Sequence, residues 1–229
     1  MATIGFIGSG NIGATVARLA AAAGYEVVLS NSRGPQTLQD LAAEIGPLAT
    51  AATAEQAAEQ GDIVVVAVPL RAYRDVPAGP LAGKTVIDAN NYYPQRDGHI
   101  ADLDSGAATS SELLQRHLPG ARVVKAFNNI YYRHLLALAR RRGAPDRSAL
   151  LIAADDPAAR AAVTEFLDAI GYDAVESGTL AQSWRQEPGS AAYGGVYGPF
   201  DNEAGTPIGA AALRGAVAET RPSADSAAQ

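Results

Sequence analysis

Short apolar runs of strand length alternate with stretches of helical period along most of the chain. The first run, Thr3–Ile7, passes through glycines into Asn11–Ala23, where small and apolar residues recur at helical spacing. A later run, Asp62–Val68 (DIVVVAV), offers apolar side chains to both faces of a strand, as in a central parallel strand. Repeated strand–helix units of this kind predict an α/β fold built on a doubly wound parallel sheet.

The remaining elements follow from the same two periods. The predicted strands are Thr3–Ile7, Glu26–Ser30, Leu48–Ala51, Asp62–Val68, Lys84–Ala89, Arg122–Ala126, Ala149–Ala153 and Ala174–Glu176. The predicted helices are Asn11–Ala23, Gln36–Ile45, Ala54–Gln60, Ser110–His117, Ile130–Arg142, Pro157–Ile170 and Ala210–Glu219. Ser110 or Ser111 is the expected N-cap of its helix.

The pattern restarts after Gly143-Ala144-Pro145, which predicts two domains. We expect residues 1–145 to form the first domain and residues 146–220 a small C-terminal α/β domain, followed by a disordered tail at 221–229. Within the second part, Glu187–Gly209 is dense in Gly, Pro and Tyr and carries no period. A loop of this length is usually functional or mobile.

Composition excludes several classes of function. The 229 residues carry 18 Lys and Arg against 24 Asp and Glu, a formal net charge of −6, so no nucleic acid or membrane partner is expected. The absence of cysteine excludes disulfides and thiolate nucleophiles, and the three histidines fall at no metal-ligand spacing, so no metal is expected. The N-terminus is typical of a strand and not of a secretory signal, and we expect a cytoplasmic protein.

A G-x-G-x-x-G sequence, Gly8-Ser9-Gly10-Asn11-Ile12-Gly13, follows the first strand and opens the first helix. In that context Gly8 allows a tight turn, Gly10 lets the backbone approach a pyrophosphate, and Gly13 lets the helix pack closely on the strand. The helix N-terminus supplies the positive end for the phosphates. The motif predicts a Rossmann-type dinucleotide-binding domain.

The end of the second strand indicates which dinucleotide binds. An NAD-specific protein places a carboxylate there, whereas this chain has Ser30 followed by Asn31, Ser32 and Arg33. Hydroxyl, amide and guanidinium donors without a nearby acid suit the 2′-phosphate of NADP(H). We therefore expect Arg33 to be the main phosphate contact.

Three further strand ends lie on the same carboxyl edge, where ligands bind in open α/β sheets. The residues expected there are Ala67, Val68, Pro69, Asn90, Asn91, Lys125 and Asn128. The asparagines can orient a carboxamide or a ribose, or serve only their own turns. Lys125 can contact the nicotinamide side or an anionic partner, or simply extend from its strand. Asn128, Tyr92 and Tyr131 are the candidate catalytic residues.

The chain resembles the F420-dependent NADP oxidoreductases. The resemblance rests on IGFIGSGNIG, VVLSNSRGP, DIVVVAVP, TVIDANNYYP and RVVKAFNN, and it covers most of the chain. It implies a Rossmann domain and a small C-terminal domain. It also implies that Ser9 to Ile12 bind the pyrophosphate, Ser32 and Arg33 the 2′-phosphate, and Val68 and Pro69 the ribose and nicotinamide, with Asn128 as the floor of the acceptor site.

On this interpretation, hydride passes between NADP(H) and a planar small-molecule acceptor, expected to be the deazaflavin coenzyme F420, in a homodimeric enzyme. One alternative is an NADPH-dependent reductase of an imine, carbonyl, flavin or ferric substrate, with Tyr92, Tyr93 or Tyr131 as proton donor. Another is an NADP-binding redox sensor without turnover. The sequence leaves these alternatives open.

The segment Glu187–Asn202, with Trp184 at its entrance, exceeds what the resemblance leads us to expect. Its glycines, together with Tyr193 and Tyr197, are typical of a lid that covers a flat ring. We expect this segment to close over the acceptor and not over the adenine half of the nucleotide.

Overall fold

The computed structural model describes residues 1–219, and it contains one eight-stranded sheet in the order β3-β2-β1-β4-β5-β6-β7-β8. The strands are β1 (Thr3–Ile7), β2 (Glu26–Ser30), β3 (Ala49–Ala51), β4 (Ile63–Val66), β5 (Thr85–Asp88), β6 (Arg122–Lys125), β7 (Ala149–Ala154) and β8 (Asp173–Gly178). Neighbouring strands are parallel except β6 and β7, which pair antiparallel. The order reverses between β1 and β4, as in Rossmann-type folds.

Helices cover both faces of this sheet. They are α1 (Asn11–Ala22), α2 (Gln39–Ile45), α3 (Ala54–Gln60), α4 (Pro94–Asp97), α5 (Ala101–Asp104), α6 (Ser110–His117), α7 (Tyr132–Ala137), α8 (Pro157–Ala169) and α9 (Ala210–Glu219). Alternate residues of one strand enter different cores: Val65 belongs to the core under α1 and α8, whereas Val64 and Val66 belong to the core under α3 and α6. The predicted α/β, doubly wound Rossmann-type fold is therefore confirmed.

The register of the parallel strands aligns their carboxyl ends. Ile7 is opposite Ser30 in β2 and Val66 in β4, Val66 is opposite Asp88, and Asp88 is opposite Lys125. The loops that follow these five residues therefore leave the sheet at one edge. This alignment brings distant parts of the sequence together at a single site.

Two predictions of local structure are wrong. Thr109, and not Ser110 or Ser111, caps α6, because its side chain accepts from the backbone N–H of Glu112 while the Glu112 carboxylate accepts from the backbone N–H of Thr109. The helix predicted to end at Arg142 ends at Ala137. The backbone N–H of Arg140 donates instead to the carbonyl of Gly171, a long-range contact that sequence periodicity does not show.

The C-terminal strands extend the sheet of the N-terminal part. β7 joins β6 directly, so the sheet continues across the predicted boundary at residue 145. Arg147 ties this region together, since its guanidinium donates to Asp168, Asp173 and the carbonyl of Tyr172. The division into two domains stays a prediction, and the predicted tail at 221–229 lies outside the described residues.

Lys84 lies at the sheet edge opposite the aligned strand ends, and its replacement tests how that edge is stabilised. Its ammonium group donates to the carbonyls of Ala58, Glu59 and Gly61 at distances of 2.6–2.8 Å, and so caps the C-terminus of α3. We expect Lys84→Met to lower the free energy of unfolding by about 1–2 kcal/mol, because these charged hydrogen bonds are exchanged for water. Urea denaturation measures the change, and an unchanged midpoint would contradict this account of the cap.

Candidate active site at the carboxyl edge of the sheet

The glycines of the first loop are required by close backbone contacts. Gly8 has a φ of +99°, and a Cβ atom there would lie 2.3 Å from the carbonyl oxygen of Ala67. A Cβ atom on Gly13 would lie 2.0 Å from the carbonyl oxygen of Gly8, so α1 can approach β1 this closely only with glycine at that position. Above Gly10 the space is open, and no heavy atom lies within 4 Å of a Cβ built there. The three glycines thus have the distinct geometries that a pyrophosphate loop requires.

The N-terminus of α1 offers backbone donors beside Gly10. Gly10 precedes the helix and has no side chain with which to cap it. The first-turn N–H groups of Asn11, Ile12 and Gly13 therefore remain for an anion, at the positive end of a 12-residue helix. Ser9 is fixed beside them, because its hydroxyl donates to the carbonyl of Ser30 at 2.9 Å.

A first cleft, the β2-side cleft, has a volume of about 270 Å³. It is lined by Ile7, Gly8, Ser9, Gly10, Ser30, Asn31, Ser32, Ala67, Val68, Pro69, Ala72, Asp75 and Val76. Arg33 follows at its rim and is exposed. The Asn31 side chain accepts from the backbone N–H of Arg33 at 2.9 Å, which fixes this turn. Within residues 1–219 the guanidinium of Arg33 makes no ion pair, and it is therefore available to an external anion.

A second cleft, the β5-side cleft, has a volume of about 430 Å³ and meets the first at Gly10, Ala67, Val68 and Pro69. Its further lining residues are Asn11, Ile12, Ala89, Asn90, Asn91, Tyr93, Arg96, Asn128, Asn129, Ile130, Tyr131, Tyr132, Tyr193, Gly194 and Phe200. The two clefts adjoin at these four residues, and we call them together the track over the loop. Such a track can hold an extended ligand with its centre at Gly10.

Amide side chains build the floor of the β5-side cleft. The Asn90 side chain accepts from the backbone N–H of Val68 at 2.9 Å, and Asn91 donates to the carbonyl of Asn128 at 2.8 Å. Asn128 donates to the side chain of Asn91 and to the carbonyl of Gln186, and it accepts from Gln186. The Asn128 amide is therefore rigidly held by protein partners. Asn128 directly follows Phe127, whose φ of +64° is unusual for a residue other than glycine.

Aromatic residues form the wall and cover of this cleft. The hydroxyls of Tyr93 and Tyr193 form a hydrogen bond with one another, and Asn91 donates to the Tyr193 hydroxyl at 3.4 Å. Burial, followed by the hydrogen bond with Tyr93, raises the pKa of Tyr193, so its hydroxyl stays protonated at neutral pH. Tyr131 packs edge-on against Phe200. The arrangement can enclose a flat ring between aromatic faces.

Residues 187–202, which we name the covering segment, contribute Tyr193, Gly194 and Phe200 to the β5-side cleft and none to the lining of the β2-side cleft. Their position agrees with the expected cover for an acceptor. Tyr197 has a different role from the one expected, because it is fully buried in the core and donates to the carbonyl of Ala149. The segment is thus anchored on one side, and its Tyr193 side alone faces the cleft.

Two further candidates lie away from the cleft lining. The Tyr92 hydroxyl donates to Asp104 and accepts from the backbone N–H of Ile100, which directs it into the loop around α4 and α5. Lys125 is fully buried beneath the floor, with its ammonium group 3.2 Å from Asp88. Neither Tyr92 nor Lys125 lines a cleft, so their predicted contacts with ligand are corrected. A strand end specifies the edge of the sheet, but the direction of each side chain depends on its neighbours.

Several lining residues could not be found from sequence motifs. Asp75, Arg96 and Phe200 belong to no strand end or recognised motif, and they reach the clefts through loop geometry. Within residues 1–219 no group of three or more acidic or histidine side chains could hold a metal ion. No helix in the same part of the chain is both long and apolar enough to cross a membrane.

Comparison with known proteins adds a family and a set of fold relatives. A family model described as NADP oxidoreductase, coenzyme F420-dependent, matches residues 3–92. A hypothetical protein from Sinorhizobium meliloti is 30% identical over 82% of this chain and 91% of its own, with a TM-score of 0.71. No curated protein shows significant similarity to the chain.

Two more distant structures show the same fold. A protein from Arthrobacter sp. FB24, described as a candidate F420-dependent NADP reductase, is 24% identical over 81% of this chain and 88% of its own, with a TM-score of 0.66. A pyrroline carboxylate reductase from Plasmodium falciparum, solved with NADP bound, is 15% identical over 76% of this chain and 57% of its own, with a TM-score of 0.51.

The contrast between Gly10 and Gly13 generates a paired prediction. Gly10→Val should abolish dinucleotide binding and leave cooperative unfolding intact, since its side chain enters open space over the loop and its φ of −76° suits valine. Gly13→Ala should instead destabilise the fold by about 1–3 kcal/mol, because its Cβ meets the carbonyl of Gly8. Nucleotide titration and thermal unfolding of both variants check this. Tight binding by Gly10→Val would move the pyrophosphate site elsewhere.

Proposed function

We propose that the chain, which belongs to the coenzyme F420-dependent NADP oxidoreductase family, transfers hydride between NADP(H) and a planar acceptor. The acceptor that fits best is the deazaflavin coenzyme F420. The family makes the chain an NADP(H)-dependent oxidoreductase. The observation that carries the proposal is the track of two adjoining clefts over Gly10.

The loop at Gly8–Gly13 would hold the pyrophosphate. The open space above Gly10 admits phosphate oxygens, and the first-turn N–H groups of α1 point at the same place. In this proposal Asn11 and Ile12 bind mainly through their backbone. Ser9, fixed to the carbonyl of Ser30, keeps the loop in shape whether or not nucleotide is bound.

The β2-side cleft would take the adenosine half, with the 2′-phosphate at its rim. Asn31, Ser32 and Arg33 supply amide, hydroxyl and guanidinium donors there, and no carboxylate follows β2. The carboxylate in the cleft lining, Asp75, comes from the turn after β4 and not from the β2 turn. The turn made by Asn31 holds the backbone of Arg33, which limits the entropy lost when its guanidinium binds. These features favour NADP(H) over NAD(H).

The β5-side cleft would align the reacting rings. When bound, the dihydronicotinamide supplies the hydride. Ala67, Val68 and Pro69 form the wall between the clefts, Asn90 fixes that wall through the backbone N–H of Val68, and the rigid amide of Asn128 forms the floor. Tyr193 excludes water from above. Alignment and water exclusion of this kind supply most of the acceleration when two ring cofactors carry the chemistry.

Replacement of Arg33 tests the choice of nucleotide. Each charge-assisted hydrogen bond to the 2′-phosphate contributes about 1.5–3 kcal/mol, so Arg33→Ala should weaken NADPH binding about tenfold to a hundredfold. NADH binding should stay near that of the parent protein. Calorimetric titration with both nucleotides measures this difference, and Arg214→Ala, an exposed arginine on α9 beside β8 at the other end of the sheet, is the matched control. Equal losses for NADPH and NADH would contradict the assignment of Arg33.

A second candidate function is supported by the Tyr93–Tyr193 pair. A tyrosine hydroxyl that lines a hydride-transfer cleft can act as a general acid for an imine or carbonyl acceptor. In such a reaction hydride adds to carbon, and the Tyr193 hydroxyl gives its proton to nitrogen or oxygen. Tyr93 then acts as the hydrogen-bond partner that orients Tyr193. A deazaflavin takes the hydride at a ring carbon, and the proton that its ring nitrogen then takes up need not come from Tyr193.

Phenylalanine substitutions separate the two functions. If Tyr193 is a proton donor, Tyr193→Phe should lower NADPH-dependent reduction of a cyclic imine about a hundredfold. The same substitution should leave hydride transfer to deazaflavin nearly unchanged. Tyr131→Phe is the control, because Tyr131 lines the same cleft without bonding to Tyr193. Full imine reduction by Tyr193→Phe would rule out this candidate.

A further inference from the structure

A buried chain of polar side chains connects the covering segment to the strands beneath the β5-side cleft. Glu187, the first residue of the covering segment, accepts from the hydroxyl of Ser110 at 2.6 Å and from its backbone N–H at 3.1 Å. The same hydroxyl accepts from the ammonium group of Lys125 at 2.8 Å. Lys125 in turn lies 3.2 Å from Asp88, and both side chains are fully buried. We name Glu187, Ser110, Lys125 and Asp88 the buried relay.

At its inner end the relay holds the wall of the cleft. Lys125 donates to the carbonyl of Asn90 at 2.6 Å, and Asp88 accepts from the backbone N–H of Asn90 at 2.9 Å. Asn90 is thereby held at both its N–H and its carbonyl. Its side chain accepts from the backbone N–H of Val68, which lines both clefts. The wall between the two clefts therefore depends on the relay.

At its outer end the relay holds the cover. The carbonyl of Glu187 accepts from the backbone N–H of Ser190, and the carbonyl of Ser190 accepts from that of Tyr193. Two successive turns thus join Glu187 to the residue whose hydroxyl reaches Tyr93 across the cleft. A displacement of Glu187 would move Tyr193.

Stability alone does not account for a charged pair at this place. A buried ion pair contributes little more than well-packed apolar residues of similar volume, because both charges lose their hydration. The two register pairs just before this one, Val86 with Val123 and Ile87 with Val124, are apolar, and the first pair, Thr85 with Arg122, lies at the opposite edge of the sheet. The buried charges occur at the last pair, Asp88 with Lys125, directly beneath the cleft. That location indicates that the charged pair positions the residues of the cleft above it.

We propose that Lys125 is a positioning residue: through Ser110 and Glu187 it fixes the covering segment, and through Asp88 and Asn90 it fixes the cleft wall, so that cover and wall stay in one alignment. Lys125 touches no ligand in this role. Its kinetic consequence rests on the proposed hydride transfer, whereas the link between relay and cover is a property of the protein alone.

Two adjacent serines provide a matched pair of variants. Ser110→Ala removes the hydroxyl that joins Lys125 to Glu187 and leaves the capping pair of Thr109 and Glu112 in place. Ser111→Ala removes an equally buried hydroxyl that bonds Asp88, at the inner end of the relay, at 2.6 Å and makes no hydrogen bond to Glu187. Each variant loses one oxygen atom on the same helical turn. A difference between them therefore reports the connection to the cover.

The single tryptophan of the chain, Trp184, lies three residues before Glu187, and its carbonyl accepts from the backbone N–H of Glu187. Acrylamide quenching of Trp184, measured without nucleotide or acceptor, should be stronger in Ser110→Ala than in the parent, and near the parent value in Ser111→Ala. Glu187→Ala should raise quenching at least as much, because it also removes the hydrogen bond from the backbone N–H of Ser110. The double variant should match Glu187→Ala, because Ser110→Ala has no further contact with the covering segment to remove.

Steady-state kinetics test the consequence for the reaction. Ser110→Ala should lower kcat with the deazaflavin about tenfold or more, since small misplacements of a reacting pair are costly, while the dissociation constant for NADPH changes little. Lys125→Met should lower kcat and weaken NADPH binding together, because it also releases Asn90. If Lys125→Met does not fold, the charge-free double variant Asp88→Asn/Lys125→Met replaces it. The control is Lys84→Met, which replaces the other lysine of the chain and should leave kcat unchanged.

Equal Trp184 quenching in Ser110→Ala and Ser111→Ala would overturn the link, as would a loss of kcat in Lys84→Met as large as that in Lys125→Met. Failure of the proposed function has a different signature. In that case none of the tested acceptors supports NADPH oxidation by the parent protein. The quenching comparison still decides whether the relay holds the cover.

Discussion

The site depends on one close contact between the first helix and the first strand. Gly13 packs so near the carbonyl of Gly8 that any side chain at Gly13 would overlap it. This contact sets the N-terminus of α1 directly at the carboxyl edge of the sheet, where its unpaired N–H groups meet open space over Gly10. Ala67, which lines both clefts, packs against the same turn, because a side chain on Gly8 would meet the carbonyl of Ala67. Both clefts meet at this point.

Strand register extends that edge into a complete site. The last residues of five strands are aligned, namely Ile7, Ser30, Val66, Asp88 and Lys125. The loops that follow these strands therefore converge, although they are far apart in the sequence. The positions just inside this edge are apolar, and the polar residues begin where the strands end. The buried pair of Asp88 and Lys125 lies at this transition, between a packed core and a cleft.

Sequence patterns predicted the parts of this molecule that local physics determines. Strand bounds at Thr3–Ile7 and Glu26–Ser30, the α3 helix and the close helix–strand packing at Gly13 agree with the structure, because each depends on nearby residues. The end of α7, the core position of Tyr197 and the direction of Tyr92 do not follow from local pattern. Each of these is set by a partner far along the chain or by a turn that surrounds the side chain.

The site as proposed holds NADPH along both clefts, with a planar acceptor against the nicotinamide in the β5-side cleft. The most direct measurement follows the nicotinamide absorbance anaerobically while the protein and NADPH are mixed with the deazaflavin, FMN, a quinone or a cyclic imine. We expect stoichiometric NADPH oxidation with the deazaflavin, faster than with the other acceptors, and its loss in Gly10→Val. Tight NADPH binding without oxidation by any of these acceptors would contradict hydride transfer and favour a nucleotide sensor.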